Sequence, residues 1–225
     1  MILLTFLAQF FKNKNKTMPC ITMCIDGNIA AGKSTLLSAL RQRMGAQKKY
    51  RFLHEPVDRF CQYKEFNPLQ LAYLNPHVYS SITQLHILQE IKEFYSEKLS
   101  SDRLYVTDRS LGSTVPFINA QYHHNYISEF EKVFLKDRAL SWSQKFPVNK
   151  HLFISCPPRC CFERVQARKR KEETPLSLYD LEIIDQYYQE YIKDLISEKG
   201  LACIKVLPFD DPQLVEQAYS FLLDA

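Results

Sequence analysis

The stretch Gly27-Asn28-Ile29-Ala30-Ala31-Gly32-Lys33-Ser34 constrains this chain more than any other. It fits G-x-x-x-x-G-K-[ST], a phosphate-binding loop. Before it, Cys20 to Asp26 is a short, mostly apolar run that reads as a buried parallel strand. After it, Leu36, Leu37, Leu40 and Met44 recur at helical spacing, and Gly45 supplies a C-terminal stop. Strand, glycine loop and helix come in the order that anion binding needs. The glycines let the backbone bend toward phosphate oxygens, and free N–H groups at the helix start hold them. Lys33 is then expected to reach the β- and γ-phosphates, and the Ser34 hydroxyl to ligate Mg²⁺.

The remaining signals alternate. Tyr50 to Val57 reads as a strand whose end presents Glu55 before Pro56, a candidate general base. Val78 to Leu99 contains neither glycine nor proline and carries apolar residues at helical spacing, which predicts one long helix. Arg103 to Asp108 is a third strand, ending in a carboxylate suited to support Mg²⁺. The segment from Leu111 to Trp142 is expected to be helical in its second half, broken at Pro116 and at a polar turn from Gln121 to Asn125. His151 to Cys156 is the fourth strand, and Pro157-Pro158 opens a helix carrying Arg164 and Arg168 on one face. Ser177 and Asp180 mark another helix start, with Tyr188 in its buried stripe. Cys203 to Leu207 is the fifth strand, followed by a closing helix from Pro212 to Leu223. Five strands separated by helices predict an α/β fold, a parallel sheet flanked by helices.

At 225 residues and 46% hydrophobic content, one sizeable α/β domain over 18–225 is expected. A net charge of +4 is too small to imply a nucleic-acid partner, and no membrane partner is expected. The seven cysteines show no framework spacing, which fits reduced thiols in an intracellular, cytoplasmic protein. Residues 1–17 form an apolar run followed by lysines and asparagines. They read as a disordered extension, the alternative being a mitochondrial leader.

A nucleotide loop does not name the reaction. A GTPase would need an acid at 152 and a glycine at 111, and both are leucine. Kinases of small acceptors remain. Here the chain resembles the deoxynucleoside kinase family over about residues 20–210. The family's glycine loop appears as Gly27 to Thr35 and its Glu-Pro-Val as 55–57. Its Tyr and Gln appear as Tyr73 and Gln84, and its acid-Arg-Ser as Asp108-Arg109-Ser110. Its lid appears as Arg164, Arg168, Arg170, Glu172 and Glu173.

The resemblance implies a P-loop kinase fold with an Arg-rich lid, ATP as donor, Mg²⁺ as cofactor and a deoxynucleoside as acceptor. It implies that Glu55 takes the 5′-hydroxyl proton and that Arg109 orients Glu55. It implies that Ser34 and Asp108 serve the metal, and that Arg164, Arg168 and Arg170 face the phosphates. Gln84 would read the base edge, and Tyr73 and Glu173 would bind the 3′-hydroxyl. The base-reading Arg and Asp of the deoxycytidine and deoxyguanosine kinases correspond to Ile91 and Thr114 here. With Ile87 and a stacking Phe117, the pocket resembles thymidine-accepting members, so thymidine is expected, with deoxycytidine second. Phe60 stands where family members often carry Trp, and Asp108 where Glu is commoner. A homodimer through residues 78–99 and 127–142 is also implied. The rival reading is a thymidylate-type kinase, whose anionic acceptor would want an arginine rather than Glu55. A third is a nucleotide-binding regulator without phosphoryl transfer.

Overall fold

The computed structural model describes residues 20–45, 47 and 49–224; the extension expected at 1–17 lies outside them. Five strands form one parallel sheet in the order β2-β3-β1-β4-β5: β1 Ile21–Asp26, β2 Tyr50–Leu53, β3 Leu104–Asp108, β4 Val148–Ser155 and β5 Ile204–Pro208. The expected α/β fold, a parallel sheet flanked by helices, is therefore observed. β1 is buried along its whole length, as a central strand covered on both faces must be. Its register pairs Ile25 with Asp108 on β3 and with Leu152 on β4. The phosphate loop thus emerges beside the strand end that carries Asp108.

The helices are α1 (Lys33–Met44), α2 (Val57–Phe60), α3 (Pro68–Leu74), α4 (Pro76–Lys98), α5 (Val115–His123), α6 (Glu129–Ser143), α7 (Pro158–Arg168), α8 (Leu178–Lys199) and α9 (Leu214–Leu223). One face of the sheet packs Met23 and Ile25 against Leu37 and Leu40 of α1 and Phe221 of α9. The other packs Ile21 and Cys24 against Leu88 of α4, Ile118 of α5 and Leu135 of α6. Ile21 and Cys24 share that face despite odd spacing because the register shifts between Ile21 and Met23. Each fully buried side chain of this kind contributes roughly 1.5–3 kcal/mol.

Two local readings are corrected. Pro116 does not break a helix but sits in the first turn of α5, where its missing N–H costs nothing. Gln121 is not in a turn: α5 runs through His123, and the chain reverses after it. The capping boxes Ser128/Glu131 and Ser177/Asp180 start α6 and α8. All seven cysteines are unpaired thiols. No helix among the described residues is long and apolar enough to cross a membrane.

Candidate active site

A cavity of about 1000 Å³ opens at the carboxyl ends of β1, β2 and β3. The phosphate loop forms one end of it. Gly27 has φ +141°, and a Cβ there would lie 2.8 Å from the Ile154 carbonyl oxygen, so the loop can pass β4 only with glycine. Gly32 has φ +104° and starts α1 with no side-chain cap. The first N–H groups of α1 therefore remain available to an anion. Lys33 Nζ donates to the Asn28 carbonyl at 2.7 Å. Burial, and after it the neighbouring Arg109 charge, lower the Lys33 amine to about 8.

Residues 29–35 line the cavity, but Gly27 and Asn28 do not. Both were expected to bind phosphate. The Asn28 side chain holds the loop's shape: its amide donates to the Leu181 carbonyl at 2.8 Å and its side-chain oxygen accepts from Ile29 N at 2.8 Å.

The neighbouring strand ends supply the acids. Ser34 Oγ donates to Asp108 Oδ2 at 2.5 Å, while Asp108 Oδ1 is buried without a hydrogen-bond partner. A hydroxyl and a half-satisfied carboxylate beside an anion cradle form a donor set that fits a hard, oxygen-preferring cation such as Mg²⁺. Glu55 lines the same cavity as Lys33 and is held by Arg109, whose Nε is 3.2 Å from Oε1 and 3.3 Å from Oε2. Burial pushes the Glu55 carboxyl above its ordinary value, against the pull of the Arg109 charge.

Arg109 is itself tightly seated. It adopts a left-handed conformation with φ 67°, its N–H donates to Ile25 O at 3.0 Å, and its carbonyl accepts from the Tyr95 hydroxyl at 2.6 Å. Its guanidinium stacks over Phe117, 4.6 Å from the ring centroid, and donates to the Tyr188 hydroxyl. Sequence reasoning placed Tyr188 only in a buried stripe. Nothing local distinguishes a core tyrosine from one whose hydroxyl meets an arginine far away in the chain.

Arg164, Arg168, Arg170 and Glu173 line a further part of the wall. Arg164 Nη1 donates to the Ala30 carbonyl at 3.3 Å, which fixes it against the phosphate loop. Arg168 forms a two-point pair with Glu173, one bond being Nε to Oε2 at 2.7 Å, and Arg170 lies 3.6 Å from the same carboxylate. Tyr73 faces this group, and burial followed by the Glu173 and Asp180 charges raises its hydroxyl pKa.

Gln84, Ile87, Thr114, Phe117 and Phe60 also line the cavity. Ile91 does not. It packs with Leu88 and Tyr95 in the core. Seven residues beyond Gln84 it shares the helix face, but it lies about 10 Å further along the axis, past the cavity's end. Gln121, unexpected from sequence, lines the wall beside Gln84 and donates from Nε2 to Gln84 Oε1 at 3.4 Å. His124, within the expected polar turn, lines the cavity with its Nε2 3.2 Å from Asp180 Oδ1.

A parallel α/β sheet with an anion loop, a restrained carboxylate and a group of arginines lining one cavity is consistent with a P-loop kinase. A family model described as deoxynucleoside kinase matches residues 23–220. The chain belongs to the deoxynucleoside kinase family, and it is an enzyme of that family. It is 24% identical over 220 residues to the mitochondrial deoxyguanosine kinase of Xenopus laevis, covering 87% of this chain and 82% of that one. It is 26% identical over 175 residues to the mitochondrial thymidine kinase 2 of Homo sapiens, covering 76% and 63%. It is 30% identical over 185 residues to the deoxyguanosine kinase of Dictyostelium discoideum, covering 77% and 59%. The chain thus spans less than two thirds of the last two.

Proposed function

We propose that this protein transfers the γ-phosphoryl group of ATP to the 5′-hydroxyl of a deoxynucleoside, with thymidine preferred and deoxycytidine second. The observation that carries this reading is the single cavity shared by Lys33, Ser34 and the Arg109-held carboxylate of Glu55. A hydroxyl acceptor must lose a proton as it attacks, and we assign Glu55, whose carboxyl lines the cavity, to take it, Asp108 being engaged by Ser34. The hydroxyl proton passes to Glu55, the oxygen–phosphorus bond forms, and the bond to the departing ADP breaks. Proton acceptance of this kind contributes about 10²–10⁴-fold. The raised pKa of Glu55 makes it a better base than an ordinary glutamate.

Lys33, the N-terminus of α1, Arg164, Arg168 and Arg170 supply positive charge for the phosphates. Ser34 and Asp108 would hold Mg²⁺, whose charge neutralises that of the transferring group. Tyr73 and Glu173 meet the sugar's 3′-hydroxyl, and Gln84 the base. The apolar Ile87 and uncharged Thr114 beside Gln84 suit a thymine methyl and leave no buried charge unpaired.

The working form is a homodimer, and the occupant of its interface is a second copy of this chain. Helices α4 and α6 leave Val78, Ile82, Phe130 and Val133 exposed. One catalytic domain over 18–225 in a reducing intracellular compartment completes the reading. The deciding experiment incubates the protein with ATP, Mg²⁺ and each of the four deoxynucleosides and their monophosphates. Thymidine is expected to give thymidine monophosphate fastest. Phosphorylation of monophosphates alone would replace this reading with a thymidylate-type kinase.

A further inference from the structure

Gln84 is 3% exposed, and Gln121 has its Oε1 buried without a hydrogen-bond partner. They come from different helices, α4 and α5, and meet through one hydrogen bond in the wall of the acceptor cavity. Neither side-chain amide is hydrogen-bonded to a charged group among the described residues. We propose that Gln121 is a specificity-determining residue, a rotating partner that lets Gln84 accept both keto and amino base edges. The proposal rests on the deoxynucleoside kinase reading above.

The argument is one of hydrogen-bond inventory. A carboxamide has two donor hydrogens and an acceptor oxygen with two lone pairs. A two-point contact with a base uses one site on each end of Gln84 and leaves the outer sites for the protein. Thymine offers N3–H as donor and O4 as acceptor, whereas cytosine offers N3 as acceptor and its 4-amino group as donor. Gln84 must therefore present opposite ends to the two bases, which a half-turn of its amide achieves. A fixed donor or acceptor beside it would favour one orientation. Gln121 is itself an amide of the same outline. It donates to Gln84 Oε1 in one arrangement, and after both amides turn, its unpartnered Oε1 accepts from Gln84 Nε2. Each arrangement keeps one amide–amide hydrogen bond, so the base and not the wall selects the orientation.

The test is kcat/KM for thymidine and deoxycytidine, with ATP and Mg²⁺, in the native protein and three variants. Gln121→Glu offers only acceptors and Gln121→Lys only donors. They are expected to shift the thymidine-to-deoxycytidine ratio in opposite directions, each by roughly ten- to hundredfold, the worth of one hydrogen bond to a charged group. Gln121→Met fills the space without a hydrogen-bonding end and guards against misfolding of the charged variants. It is expected to lower both values several-fold and leave their ratio within about threefold, since neither orientation gains. Shifts in the same direction for Glu and Lys overturn the proposal, as does a Met variant that leaves both values untouched or changes their ratio strongly. A native protein that phosphorylates no deoxynucleoside refutes the underlying reading. A native protein that turns over both while Glu and Lys leave the ratio unchanged refutes only the role given to Gln121.

Discussion

Removing one hydroxyl, in Tyr188→Phe, isolates the restraint on Arg109. The ring stays, with its edge-on packing against Phe117 at 5.9 Å and Phe153 at 6.4 Å, so the core is preserved. What disappears is the acceptor for Arg109 Nη1, together with a hydroxyl 3.4 Å from the Ser113 carbonyl. A hydrogen bond to a charged group contributes about 1.5–3 kcal/mol, so the expected fall in kcat is up to about ten- to hundredfold. The Phe117 stack remains and limits the loss. A second readout follows from electrostatics. Burial raises the Glu55 pKa and the Arg109 charge draws it back down. With Arg109 less firmly held, the Glu55 pKa rises further. Glu55 acts as a base only when ionised, so the acid limb of kcat/KM for the nucleoside moves to higher pH. Steady-state kinetics followed from acid through neutral pH for the native protein and the Tyr188→Phe variant measure both effects, since a raised carboxyl moves the acid limb toward neutrality. A variant that loses thermal stability while keeping native kcat and an unmoved acid limb would refute the positioning role and leave Tyr188 as packing alone.

Glu55→Gln keeps the shape and one oxygen for Arg109 but cannot accept a proton. Its kcat is expected to fall about 10²–10⁴-fold while thymidine affinity, measured by calorimetry, changes little; native turnover would remove the assigned base. Lys33 binds phosphate only when protonated, and in the free protein its amine is lowered to about 8. The kcat/KM for ATP should therefore decline as pH rises through that value. The limb in kcat should lie higher, because bound phosphate favours the ammonium; a flat profile across the alkaline range contradicts this assignment. In sedimentation the native chain is expected as a dimer, and Phe130→Glu combined with Val133→Glu as a monomer. A monomeric native chain would refute the interface on α4 and α6.

The elements legible in the sequence are those whose cause is local. The phosphate loop was readable because glycine positions, an apolar strand and a helix stripe lie within one short segment, and the structure keeps them in that relation. The helix start at Ser177/Asp180 and the parallel sheet followed for the same reason: side-chain spacing states the period, and helices alternating with strands force parallel crossovers. Glu55 and Arg109 are 54 positions apart, and their pairing came from likeness to a family, not from either residue's neighbours.

What only the tertiary structure decided is where helix faces and lengths meet the cavity. Ile91 and Gln84 share a face of α4, yet the cavity ends before Ile91 and the core covers it. Gln121 stands among polar residues and looked like a turn, but the packing of α5 against its neighbours turns its amide onto Gln84. Tyr188 carries the apolar signature of a core residue, and only the close approach of α8 to Arg109 gives its hydroxyl a task. Spacing along a chain determines which side chains share a surface; which surface faces a ligand depends on contacts between segments far apart in the chain.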